Sequence, residues 1–242
     1  MYLEDLKKII QESDNIVFFG GAGCSCESGI PDFRSANGLW NEKLHMTLMP
    51  EQLVSHTYFM RYPEEFFEFY KAKLVYPDAK PNPGHIALAR LEQIGKLKAI
   101  VTQNIDGLHQ AAGSKNVFEL HGSVHRNYCM KCGAFYDAEF IITSKGVPMC
   151  TECGGTVKPD VVLYEEGLDE QVIKGAVSAI SKADTLIIGG TSLVVYPAAG
   201  LIDYFRGKNL VLINKSTTSA DNRANLVIHA PIGEVLSKVV GQ

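Results

Sequence analysis

The chain has 242 residues, 46% of them hydrophobic and 21% charged, with 23 basic against 27 acidic residues and a formal charge of −4. A globular chain of this length can bury roughly 70 to 75% of its unfolded surface, so the composition excludes a disordered or fibrous polymer and allows one large domain or a main domain with an insertion. The acid-leaning balance, with a pI near 6.0, argues against general affinity for phosphate backbones and makes nucleic acid a poor candidate partner.

The first ten residues, MYLEDLKKII, mix acids and bases and lead into no apolar signal core. The most apolar stretch, residues 186–202, is broken by glycines, Thr191, Ser192, Tyr196 and Pro197, and so falls short of about 20 consecutive apolar residues. A cytoplasmic location without a membrane partner is therefore expected. In a reducing compartment the six cysteines point to metal binding or catalysis rather than to disulfides.

In chain order, Leu3, Leu6, Ile9 and Ile10 recur at helical spacing, and the run Ile16-Val17-Phe18-Phe19 then reads as a buried strand closed by glycines at 20, 21 and 23. Residues 31–81 are rich in aromatics and carry no clear strand, with helical spacing over 63–74, so a helical insertion is expected there. A helix over 83–94 opens with a proline. Short apolar runs at 97–101, 117–120, 185–188, 210–213 and 226–228 have the length and composition of buried parallel strands. A further helix is expected over 169–181, so strand and helix alternate and the class is α/β.

The residues just past the strand ends are polar and glycine-rich: Gly20-Gly21-Ala22-Gly23, Thr102-Gln103-Asn104-Ile105-Asp106-Gly107, His121-Gly122, Gly189-Gly190-Thr191-Ser192 and Asn214-Lys215-Ser216. Ligands of open α/β sheets bind outside these ends at a topological switch point, and five such loops suit a dinucleotide. The first glycine set would bring backbone amides to a pyrophosphate at a helix N-terminus, although alone it reads equally as a tight turn. Asn214 could hold a ribose hydroxyl or serve only as a turn residue. Cys24 and Cys26 would stand at that same helix start, where a thiol can become nucleophilic.

Cys129-Met-Lys-Cys132 and Cys150-Thr-Glu-Cys153 form two CxxC knuckles 17 residues apart, each followed by glycine. Four thiolates at this spacing suit tetrahedral Zn²⁺, and a closed sphere of four protein ligands makes the metal structural. His125 stands near enough to compete as a ligand or to be a surface residue.

Together, GAGCSCESGIPDFRS from Gly21, TQNIDGLH from Thr102, His121-Gly122, the two CxxC knuckles and GTSLVVYP from Gly190 resemble the sirtuins, NAD-dependent protein-lysine deacylases, in their short bacterial form. The resemblance covers nearly the whole chain in order. It implies a Rossmann-like parallel-sheet domain, with a small domain formed by a helical insertion and a zinc-binding insertion. The boundaries it suggests are 1–30, 82–122 and 157–242 for the NAD-binding domain, 31–81 for the helical insertion with its cofactor loop, and 123–156 for the zinc module.

It further implies that His121 is the general base, a role that a neutral imidazole suits, and that Asn104 and Asp106 act beside it. NAD would be held by Gly21, Ala22, Ser25, Cys26, Phe33, Arg34, Gln103, Asn104, Ile105, Asp106, His121, Gly190, Thr191, Ser192, Asn214, Lys215 and Ile232. Phe33 would shield the reactive sugar face from water and Arg34 would anchor its loop. Cys26 would be a binding position and not a nucleophile, and His109 a structural residue. Acetylated lysine in extended segments of cytosolic proteins would lie between Val161, Val162, Leu163 on one side and Val194, Val195, Tyr196 on the other, as an added strand.

The sequence departs from the family pattern at Lys158, where arginine is frequent, and at Tyr164-Glu165-Glu166, where Phe-Gly-Glu is commoner. Members that remove acidic acyl groups carry a Tyr-x-x-Arg pair, matched here by Tyr70 and Lys73. Lysine lacks the planar fork that grips a carboxylate, so deacetylation is expected over desuccinylation. Two other readings stand beside it: transfer of ADP-ribose to protein, and a non-enzymatic zinc-ribbon module on a vestigial nucleotide fold.

Overall fold

The computed structural model describes residues 2–35, 38–39 and 48–241. Its largest layer is a six-stranded sheet in the order β3-β2-β1-β7-β8-β9, with β1 Ile16–Gly20, β2 Leu97–Thr102, β3 Val117–Glu119, β7 Thr185–Gly189, β8 Asn209–Ile213 and β9 Leu226–Ile228. Every neighbouring pair in it is parallel. The chain runs outward from β1 to β3 on one side and from β7 to β9 on the other, so the topological switch point lies between β1 and β7, the place where an open α/β sheet forms its crevice.

Strand side chains alternate between faces, and both faces are covered. Ile16 and Phe18 of β1 pack with Leu6, Leu88, Val235 and Leu236 from helices α1 (Tyr2–Glu12), α5 (Pro83–Gln93) and α9 (Ile232–Val240). Val17 and Phe19 pack on the other face with Ala176 and Ile180 of α8 (Glu170–Lys182) and with Leu201 and Ile202 of a 3₁₀ segment, Ala198–Tyr204. Burial on both faces is why these strands read as continuous apolar runs.

A second sheet has the order β5-β4-β6, from β4 Gly122–Cys129, β5 Phe135–Tyr136 and β6 Val157–Val161. Both pairings are antiparallel. Residues 157–161, which open the last stretch assigned to the NAD-binding domain, therefore pair with β4 and not with the large sheet.

The aromatic insertion forms α2 (Pro50–Leu53), α3 (His56–Arg61) and α4 (Pro63–Lys73), and the cysteine-rich segment adds α7 (Ala138–Thr143). One core joins them, because Phe59, Phe66, Phe67 and Tyr70 of α3 and α4 pack with Val124, Ile141, Val157, Val161 and the buried Cys129 and Cys150. Phe66 and Phe67 are fully buried, and each side chain so buried contributes about 1.5 to 3 kcal/mol. The two insertions thus make one small unit beside the large sheet. Among the described residues no helix is long and apolar enough to cross a membrane.

Candidate active site and cysteine cluster

The loops after β1 and β7 meet backbone to backbone. A Cβ on Gly23 would stand 2.8 Å from the Gly190 Cα, and one on Gly190 would stand 2.4 Å from the Cys24 nitrogen. Gly190 also holds φ +57, so both positions require glycine. The Gly23 N–H donates to the Gly190 carbonyl at 2.8 Å.

Among the described residues no α-helix directly follows the first glycine loop, contrary to the sequence expectation. The chain makes two three-residue 3₁₀ turns, Ala22–Cys24 and Cys26–Ser28. With only 3₁₀ turns here, no α-helix dipole lowers either thiol. Cys24 is buried, donates to the Gly189 carbonyl, and is pushed up to about 12 chiefly by burial. Burial first and the nearby Asp32 charge second also raise Cys26. Neither thiol is poised as a nucleophile.

Asp106 and Asn104 converge on Ser25. The Ser25 hydroxyl donates to Asp106 Oδ2 at 2.6 Å and accepts from Asn104 Nδ2 at 3.1 Å. Asp106 Oδ1 accepts the Leu108 N–H at 2.9 Å, which starts the short helix α6 (Leu108–Ala111) and fixes the carboxylate. Gln103 Nε2 reaches the Thr191 hydroxyl at 3.0 Å, tying this loop to the one after β7.

His121 sits between β3 and β4, and its Nδ1 lies 2.9 Å from the Gln103 carbonyl. A carbonyl can only accept, so Nδ1 carries the proton and Nε2 keeps its lone pair. Burial, only partly opposed by that hydrogen bond, lowers the pKa below the ordinary 6.5, so the ring is neutral at pH 7 and able to take a proton. Its neighbour Gly122 holds φ +75, and a Cβ there would stand 1.9 Å from the Asp160 carbonyl oxygen. Only glycine lets β4 leave His121 so close to β6.

One cavity of about 1330 Å³ gathers these groups. Gly21, Ala22, Ser25 and Cys26 line it from the first loop, and Phe33 and Arg34 from the segment after it. Gln103, Asn104, Ile105, Asp106 and His121 form another wall, and Gly190, Thr191, Ser192, Asn214, Lys215 and Ile232 a third. Val161, Val162, Leu163, Val195 and Tyr196 also line it, while the expected Val194 is exposed and lies outside the lining.

Three features escaped the sequence reading. His125 lines the cavity and its Nε2 lies 3.0 Å from the Asp106 carbonyl, which makes Nε2 a donor that braces the loop; it is not the fifth member of the cysteine cluster. Asn82 Nδ2 donates to the Cys24 carbonyl at 2.7 Å and so holds the first loop from α5. Lys158 and His56 both meet Glu166, at 3.1 and 2.8 Å.

The Sγ atoms of Cys129, Cys132, Cys150 and Cys153 lie within 4.8 Å of one another, with 3.4 Å between Cys129 and Cys153 and 3.6 Å between Cys132 and Cys150. Tetrahedral Zn–S bonds of about 2.3 Å need sulfur separations of about 3.8 Å. The Lys131 N–H points to Cys129 Sγ at 3.4 Å, and a Cβ on Gly155 would stand 3.0 Å from that sulfur. The donor set and its close backbone cradle fit a zinc ion.

A parallel sheet crossed from its centre, with its switch-point loops, a neutral histidine and a polar triad around one cavity, defines the chain as a dinucleotide-fold protein carrying a four-cysteine module. It belongs to the Sir2 family, whose model matches residues 21–197. Among its relatives, the NAD-dependent protein deacetylase of Clostridium perfringens is 76% identical over 239 residues, covering 98% of each chain. The protein of the same description from Staphylococcus aureus strain Mu50 is 46% identical over 238 residues, again with 98% of each covered. A solved structure of Sir2 with a p53 peptide and NAD⁺ is 38% identical with a TM-score of 0.86, covering 99% of this chain and 97% of that one. Another, with a deacetylated p53 peptide and 3′-O-acetyl ADP-ribose, is 37% identical with a TM-score of 0.91 at the same coverage.

Proposed function

We propose that the protein is an NAD-dependent protein-lysine deacetylase that moves the acyl group from lysine to ADP-ribose, releasing nicotinamide and a 2′-O-acyl-ADP-ribose. The observation that carries the reading is the tautomer of His121. Its proton is held on Nδ1 by the Gln103 carbonyl, leaving Nε2 free as a base in the same cavity as the Ser25, Asn104 and Asp106 network.

Bound NAD supplies an electrophilic ribosyl carbon once nicotinamide departs. The acyl oxygen of the lysine amide would bond to that carbon as nicotinamide leaves. His121 Nε2 would take the proton of a ribose hydroxyl so that its oxygen can bond to the acyl carbon, with the lysine amine departing and one water taken up. Asp106 and the backbone of Ile105 receive the carboxamide, and Asn104 orders water and ribose. Ser25, braced by both, stands on the phosphate side with Gly21, Ala22 and Cys26, while Gln103, Thr191 and Ser192 take the ribose. Asn214, Lys215 and Ile232 close the far end of the cofactor site.

Phe33 covers the reactive sugar face against water, which would otherwise capture it, and Arg34 steadies that segment. The acyl-lysine segment adds as a strand between Val161–Leu163 and Val195–Tyr196, where main-chain hydrogen bonds accept many sequences. The substrates are acetylated cytosolic proteins. In domain terms, the described residues of 31–81 and residues 123–156 wall the cleft over the NAD-binding remainder, with 157–161 shared through β6, while residues 36–37 and 40–47 of that insertion lie outside the described residues.

Acetyl is favoured over succinyl. Tyr70 is fully buried, stacked on Phe66 at 5.7 Å, with no hydrogen-bond partner for its hydroxyl, so it is not offered to a carboxylate, and Lys73 has no planar fork. The four thiolates hold zinc as a structural ion. Acetylated peptide incubated with and without NAD, with nicotinamide followed by chromatography, tests the function; equal deacetylation without NAD overturns it.

A further inference from the structure

Tyr164-Glu165-Glu166 stands out in the sequence, and none of the roles above uses it. The structure fixes this segment to α3. The Tyr164 N–H donates to the Val54 carbonyl and its carbonyl accepts from the His56 N–H, each at 3.0 Å. Glu165 holds φ +78, a left-handed conformation that side-chain-bearing residues disfavour. Its carboxylate accepts the Thr57 N–H at 2.8 Å, which offsets that strain. Glu166 accepts the Leu163 N–H at 2.9 Å and meets Lys158 and His56. The 161–166 edge is therefore held in place before any peptide reaches it.

From this fixed edge one side chain reaches the segment that follows the first glycine loop. The Tyr164 hydroxyl accepts a hydrogen bond from Arg34 Nη2 at 3.3 Å, and the same nitrogen lies 3.6 Å from Glu51 Oε1 on α2. Arg34 follows Phe33, and Tyr164, Arg34 and Phe33 all line the cavity. Tyr164 thus joins the edge assigned to the acyl-peptide to the segment assigned to cover NAD.

We propose that Tyr164 is a positioning residue that couples the two substrates. Its hydroxyl holds Arg34, so a peptide that packs along the pre-set 161–164 edge fixes the Tyr164 ring and through it the segment of Phe33, and each ligand tightens the other. Such coupling is a free energy shared between two sites and is reciprocal. The inference rests on the functional reading above and assigns it a specific thermodynamic link.

ADP-ribose, which cannot react, is the probe. Its affinity is measured by calorimetry with and without an acetyl-lysine peptide, for the wild-type chain, Tyr164→Phe, Arg34→Ala and the double variant. The peptide should tighten ADP-ribose in the wild type, and Tyr164→Phe should lose roughly two- to five-fold of that tightening, the low end for one long, exposed hydrogen bond. Its thermal midpoint should stay at the wild-type value. The double variant should lose no more coupling than Arg34→Ala alone. Full coupling in Tyr164→Phe, or losses that add, overturns the proposal. A wild-type chain that binds no ADP-ribose overturns the functional reading instead.

Discussion

Gly122 offers a sharp test of how the fold presents its histidine. Replacing it by alanine puts a Cβ 1.9 Å from the Asp160 carbonyl oxygen at φ +75. The left-handed backbone alone costs roughly 1 to 2 kcal/mol. The remaining contact is more than 1 Å inside any normal van der Waals separation, and it falls on backbone, so β6 must move away from β4. That disturbs the Gly122 and Val161 pairing and the Val162 hydrogen bond to the His121 carbonyl. A total near 3 to 5 kcal/mol follows, at the upper end for single substitutions.

For a chain of this length about 2 to 4 °C accompany each kcal/mol, so Gly122→Ala should melt about 6 to 20 °C lower. Gly95 provides the control: it holds φ +78 with nothing within 4 Å of its Cβ position, and Gly95→Ala should show the strain alone, about 1 to 2 kcal/mol. Thermal and urea unfolding of both variants measure the difference. Equal losses in the two would refute the argument that a backbone clash, and not left-handed strain, makes Gly122 necessary.

His121→Ala should lower turnover by about 10² to 10⁴, the usual worth of a positioned general base, while its melting midpoint stays within a few degrees of wild type; near-normal activity removes the role. Because burial lowers the His121 pKa, the acid limb of kcat/KM should lie below pH 6.5, and a limb above 7 contradicts the assignment. His109 is buried with both ring nitrogens unpartnered and is lowered to about 3 by burial and then by His85. Its folded pKa lies below its unfolded one, so its contribution is intact above about pH 6.5 and is lost as pH falls toward 3, by about 2 kcal/mol from this residue at pH 5. Urea midpoints at pH 7 and 5 should diverge less in His109→Phe than in wild type, and an unchanged divergence rejects the linkage. Cys129→Ser should lose zinc and several degrees of stability together, since metal-binding energy is folding energy; a metal-free variant as stable as wild type would oppose a structural role.

The centre of the large sheet was legible because β1, β7 and β8 are buried on both faces and so appear as continuous apolar runs, whereas the edge strands β3 and β9 are shorter and partly exposed. β6 was hidden for the opposite reason: in Val157-Lys158-Pro159-Asp160-Val161 the buried positions alternate with partly exposed ones, and a proline in the middle reads against a strand. The absent helix after the glycine loop has a similarly local cause. Gly29 at φ +84 stops the chain, and Asn82 draws the Cys24 carbonyl out of helical bonding. The cysteine cluster was readable from spacing alone, since the two knuckles bring their ligands together within short turns.

His125 was not readable, because its contact with the Asp106 carbonyl arises from β4 passing under a loop 19 residues earlier. The link from Tyr164 to Arg34 spans 130 residues and leaves no periodic trace. What the sequence could show of the site was its residue types; which nitrogen of His121 carries the proton required the Gln103 carbonyl in three dimensions.

The most direct test follows the acyl group itself. Acetylated peptide and NAD, incubated with the wild-type chain and resolved by mass spectrometry, should yield deacetylated peptide, nicotinamide and acetyl-ADP-ribose in equal amounts. Free acetate formed while NAD remains intact would contradict the account.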